Sequence, residues 1–273
     1  NDTAFLKIEK EIAWKEFWEK EWYTTRELAL SDAVYEIRNE NYELALDILD
    51  NYILDNDRSH AAYALRGEMF FRKGDYLNAE SDFSRAIRLY SNDETYYAYR
   101  GQCYYHLEKN RKALSDLNES LNRNPYQPEL YYIRAKTHAA LRHFEEAGKD
   151  FDLYFSIGYD DLNKKFEYGV IAFQGGDYMT TLKYLNEVIE KSVPKQEYYF
   201  LRGHTFYNIQ YYERASKDFG MVLDIDPQNA EAWYFKGKSL LGLGLTDKAC
   251  KDFRQSFRLG YTHAGDMIHK YCR

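Results

Sequence analysis

Five basic residues, Arg66, Arg100, Arg134, Arg202 and Lys236, each stand sixteen residues before an aspartate: Asp82, Asp116, Asp150, Asp218 and Asp252. A base facing a carboxylate at a fixed spacing can hold an external anion, or it can close on its own acid as a charge-assisted hydrogen bond. The two places where the series lapses help to choose. Asp32 goes with Ile48 and Tyr168 goes with Tyr184, so no position carries one member alone. A half-buried charge without its partner is costly, and the pattern predicts five structural ion pairs rather than a ligand-binding ladder. Duplication of one ancestral unit would also produce the correlation.

Other residues of chemical character form no site. "GKS" at 237–239 has the end of a phosphate loop, but Ala232 stands where the upstream glycine is needed and the segment falls within a helix. His263, His269 and Cys272, with Cys250, fit no zinc spacing. The seven histidines and 44 acidic residues are scattered, with no nucleophile, base and orienter placed together. No catalytic residue, cofactor or metal is expected, and the chain reads as a non-enzyme.

The elements that carry the pairs repeat along the chain. Gly67, Gly101, Gly169, Gly203 and Gly237 lie on a lattice of 34 residues, with Ala33 and Ala135 at its remaining points. A second lattice of the same spacing holds Ala45, Ala79, Ala113, Ala147, Ala215 and Ala249, interrupted by Thr181, and Leu or Phe follows four residues later at 49, 83, 117, 151, 185, 219 and 253. Turn signals such as "KGDY" at 73–76 and "QGGDY" at 174–178 divide each unit into two helical segments. Small residues fall where two helices must approach closely, so each unit is a helical hairpin.

Composition is consistent with this. The chain has 273 residues, only four prolines, 45% hydrophobic residues and a net charge of −7 without like-charge blocks, which disfavours nucleic acid as a partner. No stretch approaches a membrane span. No signal-peptide pattern opens the chain, although it begins at Asn1 rather than Met, so a trimmed leader stays open.

The lattice resembles the tetratricopeptide repeat family, whose unit reads W-x2-L-G-x2-Y, then A-x3-F, then P. Trp233, Gly237, Ala249 and Phe253 show it best. The resemblance implies an all-α, right-handed superhelical solenoid of about seven hairpins with capping helices at both ends. The expected units are 26–59, 60–93, 94–127, 128–161, 162–195, 196–229 and 230–263, preceded by an aromatic-rich helix over 1–25 and closed by a capping helix over 264–273. The first and fifth units depart most, lacking the glycine and the alanine respectively.

The resemblance further implies that first helices line a concave side. Their positions facing away from the second helices are Glu68, Phe71, Gln102, Tyr105, Tyr132, Lys136, Phe166, Phe173, Phe200, His204, Tyr207, Tyr234 and Lys238. This aromatic face suits an extended peptide or an inserted helix, although its rings could instead pack between units. The lysines and asparagines of the family's chaperone-tail clamp are not recognisable here. The expected function is a non-catalytic scaffold that binds a protein or peptide in an aromatic groove. The alternative is a structural subunit that assembles through its N-terminal helix, where Trp14, Trp18 and Trp22 recur every four residues, and through its convex surface. A regulatory part of a longer enzyme is a third reading.

In such a solenoid Cys250 faces the cap that carries Cys272, so a disulfide could staple the two, with Cys103 left over. The C-terminal sequence also looks like bacterial exported members of the family, which implies an exported or periplasmic setting. Two buried thiols in a cytoplasmic protein are the other reading.

Overall fold

The computed structural model describes residues 25–272, so the expected N-terminal helix, except for residue 25, lies outside the described residues. Fifteen helices and no strand occur among the described residues. They are α1 (Thr25–Arg38), α2 (Tyr42–Asp55), α3 (His60–Arg72), α4 (Tyr76–Leu89), α5 (Glu94–His106), α6 (Asn110–Arg123), α7 (Pro128–Ala140), α8 (Phe144–Ser156), α9 (Leu162–Gly175), α10 (Tyr178–Lys191), α11 (Gln196–Asn208), α12 (Tyr212–Ile225), α13 (Ala230–Gly242), α14 (Thr246–Arg258) and α15 (His263–Tyr271).

The chain forms two compact units, one running through Ile133 and the other beginning at Arg134. In the first, α1/α2, α3/α4 and α5/α6 pair as hairpins around Ala45 and Leu49, Ala79 and Phe83, and Ala113 and Leu117. In the second, α9/α10, α11/α12 and α13/α14 pair around Leu185, Phe219 and Phe253, and α15 packs on α14.

Close approach explains the glycine lattice. A Cβ added at Gly101, Gly203 or Gly237 would come within 2.8–3.0 Å of Leu117, Phe219 or Phe253 on the facing second helix. The alanine column is fully buried, and Thr181 fits there because its hydroxyl donates to the carbonyl of Asp177 at 2.8 Å.

The turn within each hairpin also repeats. Glu40, Gly74, Glu108, Arg142, Gly176, Gln210 and Gly244 all adopt positive φ, between 57° and 81°. Glycine fills this left-handed position in three hairpins, and four others tolerate a side chain there at a cost of about 1 kcal/mol each. Asp75 and Asp177 then cap the second helices of their hairpins by accepting from backbone N–H groups, and Asp161 and Asn229 cap the first helices α9 and α13 in the same way.

Candidate functional site

Within the hairpins the bases lie on their acids. The Nε and Nη2 groups of Arg66 donate to the two carboxylate oxygens of Asp82 at 2.8 Å. Arg100 reaches Asp116 at 2.6 and 2.9 Å, Arg134 reaches Asp150 at 2.8 and 2.6 Å, and Arg202 reaches Asp218 at 2.8 Å twice. All five aspartates are buried while the bases are partly exposed. An aromatic residue one turn earlier covers several of the bases: Tyr63 lies 5.6 Å from Arg66, Tyr97 lies 5.8 Å from Arg100, Tyr199 lies 5.8 Å from Arg202, and Trp233 lies 4.8 Å from Lys236.

The guanidinium does more than close its own hairpin. Its free arm, Nη1, reaches back sixteen residues to the second helix of the preceding hairpin: Arg66 to Asp50 at 2.5 Å, Arg100 to Ser84 at 3.2 Å and Arg202 to Asn186 at 2.9 Å. Each of these arginines therefore ties three helices. Hydrogen bonds to Asp82 raise the Arg66 pKa despite burial; burial pulls the Arg100 pKa down, but the hydrogen bonds and charge of Asp116, with Tyr104 and Tyr97, leave it raised. A column of short acceptors at Asp50, Ser84, Asp152 and Asn186, spaced by multiples of 34, is the sequence signal for this second contact.

One unit uses other chemistry. Tyr168 packs 4.7 Å from Tyr184, and its hydroxyl donates to Asp152 at 3.3 Å. The buried charge in this hairpin is instead Lys165, which donates to Glu187 at 2.6 Å and to Asp160. Lys236 is the weakest of the series. Its ammonium faces Asp252 Oδ2 at 3.4 Å without the geometry of a hydrogen bond, and the residue sixteen positions before it is Gly220. Burial accordingly raises the Asp252 pKa, with Lys236 opposing in part.

The thirteen face residues are all half-buried. In the first unit, Phe71 packs edge-on to Tyr99 at 5.4 Å, Glu68 accepts from Arg72, Gln102 donates to the Ala98 carbonyl, Tyr105 lies 5.3 Å from His106, and Tyr132 lies on α7. In the second unit, Lys136 pairs with Glu167 at 3.4 Å, Phe166 lies 4.8 Å from Tyr198 and Phe173 lies 5.8 Å from Tyr178. Phe200 and His204 turn partly toward the second helix of their hairpin, both meeting Phe219 edge-on. His204 also meets Phe235 at 4.2 Å, and burial lowers its pKa to about 4, with Lys238 adding to the shift.

Tyr207 and Lys238 come together in a cleft of about 280 Å³, lined also by Tyr212, Leu241, Gly242, Met267 and Tyr271. Gly242 is what lets Tyr212 lie against α13, since a Cβ there would come 2.7 Å from the ring. Among the described residues Lys238 is the one charged residue lining the cleft. Its ammonium lies 4.8, 5.3 and 5.5 Å from the ring centroids of Tyr207, Phe235 and Tyr234, and it has no carboxylate partner among the described residues. Met267, Tyr271 and Leu241 supply apolar walls around this cation. Tyr212, Leu241, Gly242, Met267 and Tyr271 were not on the sequence-derived face, because they enter from a second helix, from the ends of a first helix and from α15.

Just after α15, Cys272 forms a disulfide with Cys250 of α14, with Cα atoms 5.5 Å apart. Cys103 is a free, buried thiol whose pKa burial pushes up to about 12. No group of three or more His, Cys, Asp or Glu residues suited to a metal occurs among the described residues, and no described helix is long and apolar enough to cross a membrane.

Consecutive hairpins with a small-residue lattice and a recurrent left-handed turn define a helical-repeat protein. Tetratricopeptide repeat models match residues 32–94, 196–229 and 230–259, so the chain carries tetratricopeptide repeats over those residues. Its fold resembles the C-terminal part of a repeat protein from Cytophaga hutchinsonii, with TM-score 0.66 and 14% identity over 87% of this chain and 98% of that one. It also resembles YrrB, described as a repeat protein with an unusual peptide-binding site, with TM-score 0.59 and 19% identity over 69% of this chain and 97% of that one. A curated relative, mouse DnaJ homolog subfamily C member 7, is 22% identical over 77% of this chain, which spans 45% of that protein's length. The family and fold are those of a protein-interaction scaffold.

Proposed function

We propose that the chain is a scaffold that binds a peptide segment in the cleft between Tyr207, Lys238 and α15, and that the segment carries an acidic side chain or carboxylate beside an apolar residue. One observation carries this: an ammonium without a carboxylate counter-charge among the described residues, set among aromatic rings and apolar walls. A ligand carboxylate would complete the charge pair while Tyr207, Leu241 and Met267 bury the neighbouring apolar group. The same fold in YrrB bears a peptide-binding site, so the architecture admits one. Residues 26–263 are read with this as seven consecutive 34-residue units, closed by residues 264–273.

The test is a random-peptide display selection on the full chain, followed by affinity measurement of a selected peptide. The peptides should be enriched in Asp or Glu next to an apolar residue, and Lys238→Ala with Tyr207→Ala should weaken binding by about tenfold or more, or about 1.4 kcal/mol. Peptides without acidic residues, or affinity unchanged in that variant, would overturn the reading. Binding lost only on removal of residues 1–24 would favour assembly through the N-terminal segment.

A further inference from the structure

The cleft has one wall that is held differently from the others. Leu241, Gly242 and Lys238 belong to α13, and Tyr207 and Tyr212 belong to the preceding hairpin, all within paired helices of 13 or 14 residues. Met267 and Tyr271 belong to α15, which has nine residues and no second helix paired with it among the described residues. A helix this short is marginal by itself and must be held by tertiary contacts. Those contacts centre on Ala264, which is buried against Ala249 and Phe253, with Tyr234, Leu240, Leu241, Tyr261, Met267 and Ile268 partly buried around them. The disulfide adds a covalent tie, fastening the residue just after α15 to Cys250 of α14.

We propose that Cys250–Cys272 is a redox latch: oxidised, it holds α15 against α14 and keeps the Met267 and Tyr271 wall of the cleft in place, and reduced, it lets α15 detach. The co-reactant is a dithiol. One of its thiolates attacks the Cys272 sulfur, the less buried of the pair, forming a mixed disulfide as the protein Sγ–Sγ bond breaks and Cys250 leaves as a thiolate that takes up a proton. The second thiol of the reductant, once deprotonated, attacks its own sulfur in the mixed disulfide and releases Cys272, which is protonated in turn. The dithiol ends as a disulfide, and two electrons and two protons have passed to the protein. Cys103 takes no part, because it is fully buried in the other compact unit.

Detachment removes two of the seven lining residues and uncovers Tyr234, Phe253 and Tyr261, so the cleft exists as described only in the oxidised protein. The consequence for binding rests on the peptide reading above, while the latch itself does not. Its test therefore uses no peptide. Hydrogen exchange of the full chain is compared between the oxidised protein, the protein reduced with dithiothreitol, and the Cys250→Ser/Cys272→Ser variant, and oxidation of Met267 by dilute peroxide is compared between the oxidised protein and the variant. The latch requires amides of α15 to exchange about tenfold faster or more in the reduced protein and in the variant, with faster Met267 oxidation in the variant and little change in α11 and α13. Unchanged protection of α15 would overturn it. Loss of protection extending through α11 and α13 would overturn it too, because the disulfide would then hold the unit and not the cap.

Discussion

The phenol of Tyr168 donates to Asp152, sixteen residues earlier, at 3.3 Å. That is the register in which Arg66, Arg100 and Arg202 extend a guanidinium arm to Asp50, Ser84 and Asn186. The repeat thus conserves a contact between adjacent hairpins even where it replaces the charged group that makes it. Tyr184, in the place of the aspartate, answers Tyr168 with a ring, so no buried carboxylate is left unpaired.

The pairing energy can be isolated at Arg100 and Asp116. Arg100→Ala should cost about 1–4 kcal/mol, between the values for exposed and buried pairs, and urea denaturation of both single variants and the double variant should show coupling. Lys236→Arg should act in the opposite sense, gaining about 1 kcal/mol, because a forked donor can reach the unsatisfied Asp252 Oδ2.

The glycine lattice predicts opposite outcomes at two of its points. At Gly237 a new Cβ would meet Phe253 at 2.8 Å, so Gly237→Ala should destabilise by about 1–2 kcal/mol even after the gain in helix propensity. At Gly169 the nearest atom is 3.7 Å away, in Leu185, so Gly169→Ala should stabilise by up to about 1 kcal/mol. Thermal unfolding of the two variants checks both signs.

The left-handed turn column gives a second such pair. Gln210→Gly should relieve strain worth about 1 kcal/mol, whereas Gly244→Ala should introduce about as much, since Gln210 has φ 65° and Gly244 has φ 76°. Neither residue lines the cleft, so peptide binding should be unaffected.

His204 makes stability depend on pH. Its folded pKa, about 4, lies below the ordinary 6.5, so the folded protein binds fewer protons than the unfolded chain between these values. Its contribution is fully present above pH 6.5 and is lost as pH falls toward 4, by up to about 3 kcal/mol. The His204→Phe variant, placing a ring among Phe200, Phe219 and Phe235, should lose that part of the dependence. Denaturant midpoints at pH 7.5 and 5 for both proteins measure the difference.

Much of the fold is legible because the period is constant: Gly67 and Phe83, or Gly237 and Phe253, announce a crossing by size alone. Less legible is whatever one hairpin brings to the next. A helical wheel turns His204 away from α12, yet Phe219 and Phe235 enclose it, and no wheel of α11 contains Phe235. The acceptor column at Asp50, Ser84 and Asn186 was open to reading, but its members share only a short polar side chain. The left-handed turn announces itself at Gly74, Gly176 and Gly244 and is silent at Glu40, Glu108, Arg142 and Gln210, where the backbone adopts it without glycine. The cleft was the least legible, because Tyr212 and Met267 come from helices outside the one-face pattern that singled out Tyr207 and Lys238.

The account's central claim, that a peptide is held against Lys238 beside α15, can be tested with methionine methyl groups. The chain has four methionines, and only Met267 lines the cleft, while Met69 is buried in the other compact unit and Met179 and Met221 are exposed on second helices. In a carbon-13 methyl-methionine spectrum of the oxidised full chain, a display-selected acidic peptide should shift the Met267 resonance and leave the other three in place. A saturable peptide that shifts Met69, Met179 or Met221 and leaves Met267 unmoved would contradict the claim.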